Sequence, residues 1–377
     1  MSHTTDENFA AELRKEGIDD SMVLGHPSGL FVLFFTEMWE RFSFYGMRVL
    51  LVLFLTAAIT GGNPGLGWSA ENAGALYSTY AMLLYITPIF GGIIADRFIG
   101  YRWAVVIGSI VMTLGHVAMF FDGTIPLYLG LGLLVIGTGF FKPNMTSILS
   151  EMYKKFPQKK DGAYTIFYMG VNAGAFFGMM LCGYLASNLG WHYGFGLAAV
   201  FMGLGTLQFW LAKPLFGTIG EVPNKESAVV STTNDEKAEN DKRNPFSTID
   251  YILIVITTII GFLFAFDAPL YVIGKIDLLP SVDLSFLGLD TLRGMYVLTI
   301  AGLLLFIGLI ISRLVRYDKI VRDRMIAVII FAFFTIFFWM SFEQAASSLV
   351  IFARDSVDRS LAGTSLTIFN TFNTLLT

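Results

Sequence analysis

The chain alternates long apolar blocks with short polar breaks. Apolar runs of bilayer-spanning length, about 20 residues each, lie near 28–58, 71–95, 103–121, 125–150, 162–187 and 192–213. A polar stretch, 214–248, contains NKESAVVSTTNDEKAENDKRN and has the composition of a flexible linker. Two more apolar runs follow near 249–272 and 294–312, and a ninth near 324–353. A tenth begins at Gly363, and the chain reaches Thr377 within it. No run shows barrel-like alternation, so the backbone in lipid must satisfy itself as helices.

The pattern therefore predicts an all-α polytopic membrane protein. Residues 1–27 form a polar N-terminal tail, 28–213 a six-helix transmembrane bundle and 214–248 a linker. Residues 249–317 form an inserted two-helix hairpin, and 318–377 the start of a second bundle that is expected to be truncated. Carriers built of two such bundles place their site near the bilayer midplane between the repeats. A single bundle would present half of that site.

Composition agrees. Of 377 residues, 55% are hydrophobic and 14% charged, against about a quarter charged in soluble domains. Residues 1–27 have no basic n-region of the signal-peptide kind and no small-residue cleavage site, so the first span reads as an uncleaved anchor. Cys182 is the sole cysteine and lies in an apolar span, which excludes an intrachain disulfide and suits a small core hydrophobe.

Lys and Arg set the expected topology. With the N-terminus in the cytoplasm, cytoplasmic segments carry Arg14, Lys15, Arg97, Arg102, Lys154, Lys155, Lys159, Lys160 and Lys213. They also carry Lys225, Lys237, Lys242, Arg243, Arg313, Arg316, Lys319, Arg322 and Arg324. The opposite side has Lys275, Arg293, Arg354 and Arg359.

Charges inside the apolar runs are the candidate chemistry. The first span carries Glu37, Glu40, Arg41 and Arg48, the fourth adds Lys142 and the ninth adds Glu343. A charge at bilayer depth costs at least a few kcal/mol, which reserves it for pathways, relays and ligand contacts. At about 100° per residue, Glu37, Arg41, Phe44 and Arg48 share one line down a helix, with Glu40 and Tyr45 at its edges. Glu37 and Arg41 form an i,i+4 pair in the favourable order, whereas Glu40 and Arg41 are adjacent and share no rung. Arg48 has no acid on its own face, and Glu343 is the deep acid expected to pair with it in one gating state. A structural ion-pair ladder would explain one such pair. Six groups on three spans, summing to zero charge, point instead to a site. Protonating one Glu makes that site net positive and receptive to a carboxylate, and linkage then makes a bound carboxylate raise proton affinity.

Two of three other features read mainly as structure, and the third bears on the site. His116 sits among apolar residues and is expected to be a satisfied packing residue. Gly170, Gly174 and Gly178 have the spacing of a close helix–helix seam. In Lys142–Pro143 the proline frees a carbonyl and can aim Lys142 inward. No metal-ligand spacing, nucleophile elbow, phosphate loop or nucleic-acid patch stands out, so an enzyme, a cofactor and a nucleic-acid partner are not expected.

The segment TEMWERFSFYGMR matches the ExxERFxxYG pattern, and four later segments agree in order: STYAMLLYITPIFGGIIADRFIGYR, GTGFFKPNMTS, FYMGVNAGAFFG and SFEQAASSL. With these the chain resembles the proton-dependent oligopeptide transporters, a branch of the major facilitator fold, from about residue 25 onward. The resemblance implies proton-coupled import of di- and tripeptides by alternating access, in a monomer of the bacterial inner membrane. It implies that Glu37, Glu40, Arg41 and Glu343 couple protons. Arg41, Arg48 and Lys142 would hold the peptide carboxylate, with Glu343 also near substrate. Tyr45, Tyr80, Asn172 and Asn373 would contact substrate, and Arg48, Glu343, Asp96 and Arg97 would gate. Phe44 stands where many members have a second Tyr. Two other readings stay open: a non-transporting membrane fragment, and a carrier of another small anion such as nitrate.

Overall fold

The computed structural model describes residues 2–222, 246–283, 285 and 291–357. Asn373, the start of the tenth run, Arg359 and most of the linker lie outside the described residues. The described residues divide into two compact units: those within 1–68, 83–223 and 346–377 form the first, and those within 69–82 and 224–345 the second.

The first apolar run becomes α2, Ser28–Thr56. It is followed by α3 (Ala70–Ile94), α4 (Gly100–Phe120), α5 (Thr124–Met152), α6 (Pro157–Asn188) and α7 (Trp191–Ala212). In the first unit α2 packs on α6 and α7, and α4 packs on α5 and α7. The α2–α6 seam follows the expected glycines. A Cβ at Gly174 or Gly178 would lie 2.2 Å from the carbonyl oxygen of Met38 or Phe42. The Cys182 thiol is fully buried beside Gly46 in the same seam. Asp96 and Arg97, expected on a short loop, instead sit exposed on a π-helical turn, Ala95–Ile99. That turn ends at Gly100, where φ is +74° and a Cβ would meet the Glu221 carbonyl oxygen at 2.4 Å, so both conformation and space call for glycine.

The N-terminal 27 residues are more ordered than a polar tail. They form α1 (Ser2–Lys15) and a hairpin of β1 (Met22–Val23) and β2 (His26–Pro27). Phe9 and Leu13, one helical turn apart, are buried, and Phe9 packs on Tyr153 and Phe156. Around them Lys155 pairs with Glu12 and Glu16, at 3.3 and 2.5 Å. Asp19 accepts from the hydroxyls of Ser21 and Ser28, which hold its carboxyl below the usual aspartate range. That tie is present at neutral pH and is lost as the pH falls through the lowered value.

In the second unit α8 (Thr248–Val272) and α9 (Gly294–Arg316) form a hairpin. Two acids that the sequence reading passed over lie here. Asp250 pairs with Arg313 at 3.3 Å and Arg316 at 2.7 Å, and Asp267 pairs with Arg293 at 2.8 Å. Both acids are thus satisfied within the hairpin, one at each end. The ninth run is not one helix. α10 (Lys319–Phe342) stops at a 3-10 turn, Glu343–Ala346, and α11 (Ser348–Ser356) follows. Polar Glu343, Gln344, Ser347 and Ser348 interrupt the apolar run where it breaks. α11 belongs to the first unit, where Arg354 donates to the Thr56 hydroxyl at 2.8 Å.

His116 is fully buried in α4, and neither ring nitrogen has a hydrogen-bond partner among the described residues. It is a packing residue, as expected, but not a satisfied one. A buried polar group left unmade costs about 1–3 kcal/mol. His116→Leu is therefore expected to raise the melting temperature in detergent by a few degrees. A lower melting temperature would reveal a polar partner for the ring.

Candidate functional site

The α2–α6 glycine seam turns the charged face of α2 into the interior of the first unit. Glu37, Glu40, Arg41 and Arg48 are all buried, with Glu40 fully inaccessible. Arg41 Nε lies 2.9 Å from Glu37 Oε1, the expected i,i+4 pair, and 2.6 Å from Glu40 Oε2. The helical wheel, which puts Glu40 and Arg41 on different rungs, did not reveal this second contact. Adjacent backbones do not share a rung, but the long guanidinium folds back between the two acids. Its contact with Glu40 is an ion pair without hydrogen-bond geometry, and neither Glu40 oxygen has a hydrogen-bond partner among the described residues.

Phe44 sits between the two guanidinium groups, with Arg41 and Arg48 carbons 5.4 and 5.7 Å from its ring centroid. A ring face attracts cations, so Phe44 lets two positive groups share one helix face. The sequence placed Phe44 on this face and marked it as a Phe where many family members have Tyr, but gave no sign of its place between the two cations. Tyr45 is half-buried and meets Phe44 edge-on at 5.1 Å.

Lys142 projects from α5, and its ammonium lies 5.1 Å from the ring centroid of Tyr85 on α3. It is also within electrostatic range of Glu40. Pro143 cannot donate to the Gly139 carbonyl. That oxygen faces α3 at Gly91, where a Cβ would approach to 2.0 Å. The α3–α5 contact that brings Tyr85 to Lys142 thus depends on a proline and two glycines. Tyr85 was not predicted. The only trace it leaves in the sequence is its place one turn and a residue after Tyr80, in an already aromatic segment.

In the second unit the Tyr77 hydroxyl donates to Glu343 Oε2 at 3.2 Å. Tyr77 is buried, as is Tyr80, and Glu343 opens the 3-10 turn that breaks the ninth run. Tyr77 was also missed. Asn172 is exposed, and its amide donates to Tyr168 O of its own helix at 2.9 Å. Two residues from Gly170 and Gly174, it falls on the α6 face turned away from the seam.

Comparison with known proteins decides the family. A POT family model matches residues 102–239. A solved peptide transporter POT in complex with sulfate superposes with a TM-score of 0.68 and 31% identity, covering 98% of this chain and 69% of that one. The chain belongs to the POT family. Among similar proteins, the uncharacterized transporter YclF of Bacillus subtilis (strain 168) is 34% identical over 347 residues, 91% of this chain and 63% of its own length. Peptide transporter YePEPT of Yersinia enterocolitica subsp. palearctica serotype O:3 (strain YE-P4) is 34% identical over 343 residues, 90% and 62% respectively. This POT chain therefore spans less than two thirds of those relatives. It is an all-α integral membrane protein of the major facilitator type. Seven helical stretches among its described residues are long and apolar enough to cross a membrane. α2 is long enough as well but carries its four charges in the middle.

Proposed function

We propose that this POT chain takes part in proton-coupled import of di- and tripeptides by alternating access. The observation that carries the reading is Glu40. It is fully buried, has no hydrogen-bond donor among the described residues, and shares the single Arg41 guanidinium with Glu37. Two carboxylates on one cation are well placed to take up a proton. Protonation of either acid loosens the hold on Arg41, which then becomes available, with Arg48 and Lys142, to a substrate carboxylate. The names of the relatives, peptide transporters among them, support peptides over nitrate or another small anion. The reading leaves no chemical conversion for the chain to perform.

Tyr45, Tyr80, Asn172 and Asn373 complete the proposed substrate contacts, and exposed Asp96 and Arg97 the proposed gating latch. The lack of an acid on the Arg48 face of its own helix, in the sequence pattern, supports a pairing of Arg48 with Glu343 in one gating state. The Lys and Arg distribution supports a cytoplasmic N-terminus, and the chain is read as a monomer among the lipids of the inner membrane.

Dipeptide binding to the purified chain tests the substrate class. Dialanine should bind, and its C-terminal amide should bind at least tenfold more weakly, since the charge that Lys142 and the arginines answer is gone. Lys142→Ala should weaken the free peptide more than the amide. Lys142→Arg should recover only part, because a planar fork replaces a compact ammonium. Equal losses for both peptides would assign Lys142 to coupling or packing, not to the carboxylate.

A further inference from the structure

The outer face between α4 and α7 carries a groove of about 370 Å³. Ile110 and Leu114 form one wall, and Leu207 and Trp210 the other. The hydroxyls of Thr113 and Thr206 lie at its floor, 3.1 Å apart, and bond carbonyls of their own helices at 2.8 and 2.9 Å. The floor therefore offers no unused polar group and suits hydrocarbon. Gly203 keeps it open. A Cβ there would meet only Thr113 Cγ2, at an ordinary 3.7 Å, so helix packing does not require glycine at this position.

One end of the groove is built differently. Trp103 and Trp210 meet edge to face at 5.8 Å. The Lys213 ammonium lies 3.8 Å from the Trp103 ring centroid and 5.2 Å from that of Trp210. Its neighbour Arg102 is taken up by Glu221 at 2.9 Å and the Gly217 carbonyl at 2.7 Å. No carboxylate pairs with Lys213 among the described residues. The ammonium is held by two rings and has no anion beside it among the described residues. From Gly203 to Lys213 is about 15 Å at 1.5 Å per residue, or one leaflet of a core about 30 Å thick.

We propose that this groove holds one acyl chain of an anionic glycerophospholipid, with the phosphate on the Lys213 ammonium and the glycerol region against the Trp103–Trp210 pair. Three requirements meet in one place: an apolar channel one leaflet deep, an interfacial tryptophan pair, and a cation at headgroup level that no described carboxylate neutralises. The inference rests on the membrane-spanning family fold and not on transport, so it can fail while the peptide reading stands, and the reverse.

The test uses the full chain in detergent with brominated phosphatidylglycerol, against phosphatidylcholine carrying the same chains. Tryptophan quenching and native mass spectrometry are the readouts. Phosphatidylglycerol should reach half-maximal quenching at about fivefold lower mole fraction, the factor given by ~1 kcal/mol for one basic residue at an anionic headgroup. Lys213→Gln should bring the two lipids level, while Lys213→Arg should keep the preference. Gly203→Leu should weaken both lipids, and Trp103→Phe with Trp210→Phe should remove the quenched component. Millimolar inorganic phosphate should not compete. Equal quenching in the unaltered chain, or a preference that survives Lys213→Gln, would overturn the proposal. So would a dimer whose groove excludes lipid.

Discussion

Arg41→Ala is expected to cost about 3–5 kcal/mol of stability, the usual penalty for removing one side of a buried ion pair. The expectation is firmer here than for a simple pair, because Arg41 Nε serves Glu37 and Glu40 at once, at 2.9 and 2.6 Å. Both acids are buried, so water cannot replace the guanidinium. Arg41→Lys should fall between the two. It restores a charge but not a donor held between the carboxylates. Combining Arg41→Met with Glu37→Gln and Glu40→Gln should recover most of the loss, since a buried ion network replaced by neutral groups of similar size is often neutral or better. Thermal melting in detergent reads all of these. Wild-type melting of Arg41→Ala would mean that water reaches the acids. Failure of the triple variant to recover would assign Arg41 a packing role against Phe44.

The transmembrane helices were legible because lipid leaves the backbone few choices, and run lengths of apolar residues then locate the spans. The glycine spacing of α6 was legible for the same reason. A close seam needs small residues one turn apart, and Gly170, Gly174 and Gly178 face Phe34, Met38 and Phe42. The α1 helix was not read, because two apolar residues, Phe9 and Leu13, dock it in an otherwise polar stretch, and their partners Tyr153 and Phe156 lie far off in sequence. The break at Glu343 was masked by the apolar residues on both sides of it. Asp250 and Asp267 escaped notice because each stands near an end of its apolar run, where an acid reads as a border residue.

Within the site, the wheel placed Glu37, Arg41, Phe44 and Arg48 correctly on one face. It did not show the Arg41–Glu40 contact, because a helical wheel describes where a Cβ points, and a guanidinium reaches several ångströms beyond its own. The contacts of Tyr85 to Lys142 and of Tyr77 to Glu343 join residues tens to hundreds of positions apart. A single sequence carries no mark of such pairings, only of the residue types able to make them.

Glu40→Gln should abolish accumulation of dialanine in proteoliposomes while sparing dialanine exchange. Import of a neutral dipeptide with one proton moves one net charge inward. A membrane potential of about 100 mV supplies about 2.3 kcal/mol for that charge, which is roughly fifty-fold accumulation at about 1.4 kcal/mol per tenfold. Glutamine keeps the shape of a protonated Glu40 and cannot release the proton, so the driving term is lost whole and not in part. Substrate binding should persist, because the variant mimics the state in which Arg41 is loosened toward a carboxylate. A carrier locked in that state can still trade inner for outer peptide, and exchange separates lost coupling from lost folding. Glu37→Gln should be milder if Glu40 is the group that titrates, because Glu37 already accepts a hydrogen bond from Arg41. Three results would refute this account: full accumulation by Glu40→Gln, loss of exchange together with accumulation in a well-folded variant, or accumulation by the unaltered chain that survives an uncoupler and depends on sodium. If the unaltered chain neither accumulates nor exchanges dialanine yet binds it, the site reads peptides but this chain alone does not move them.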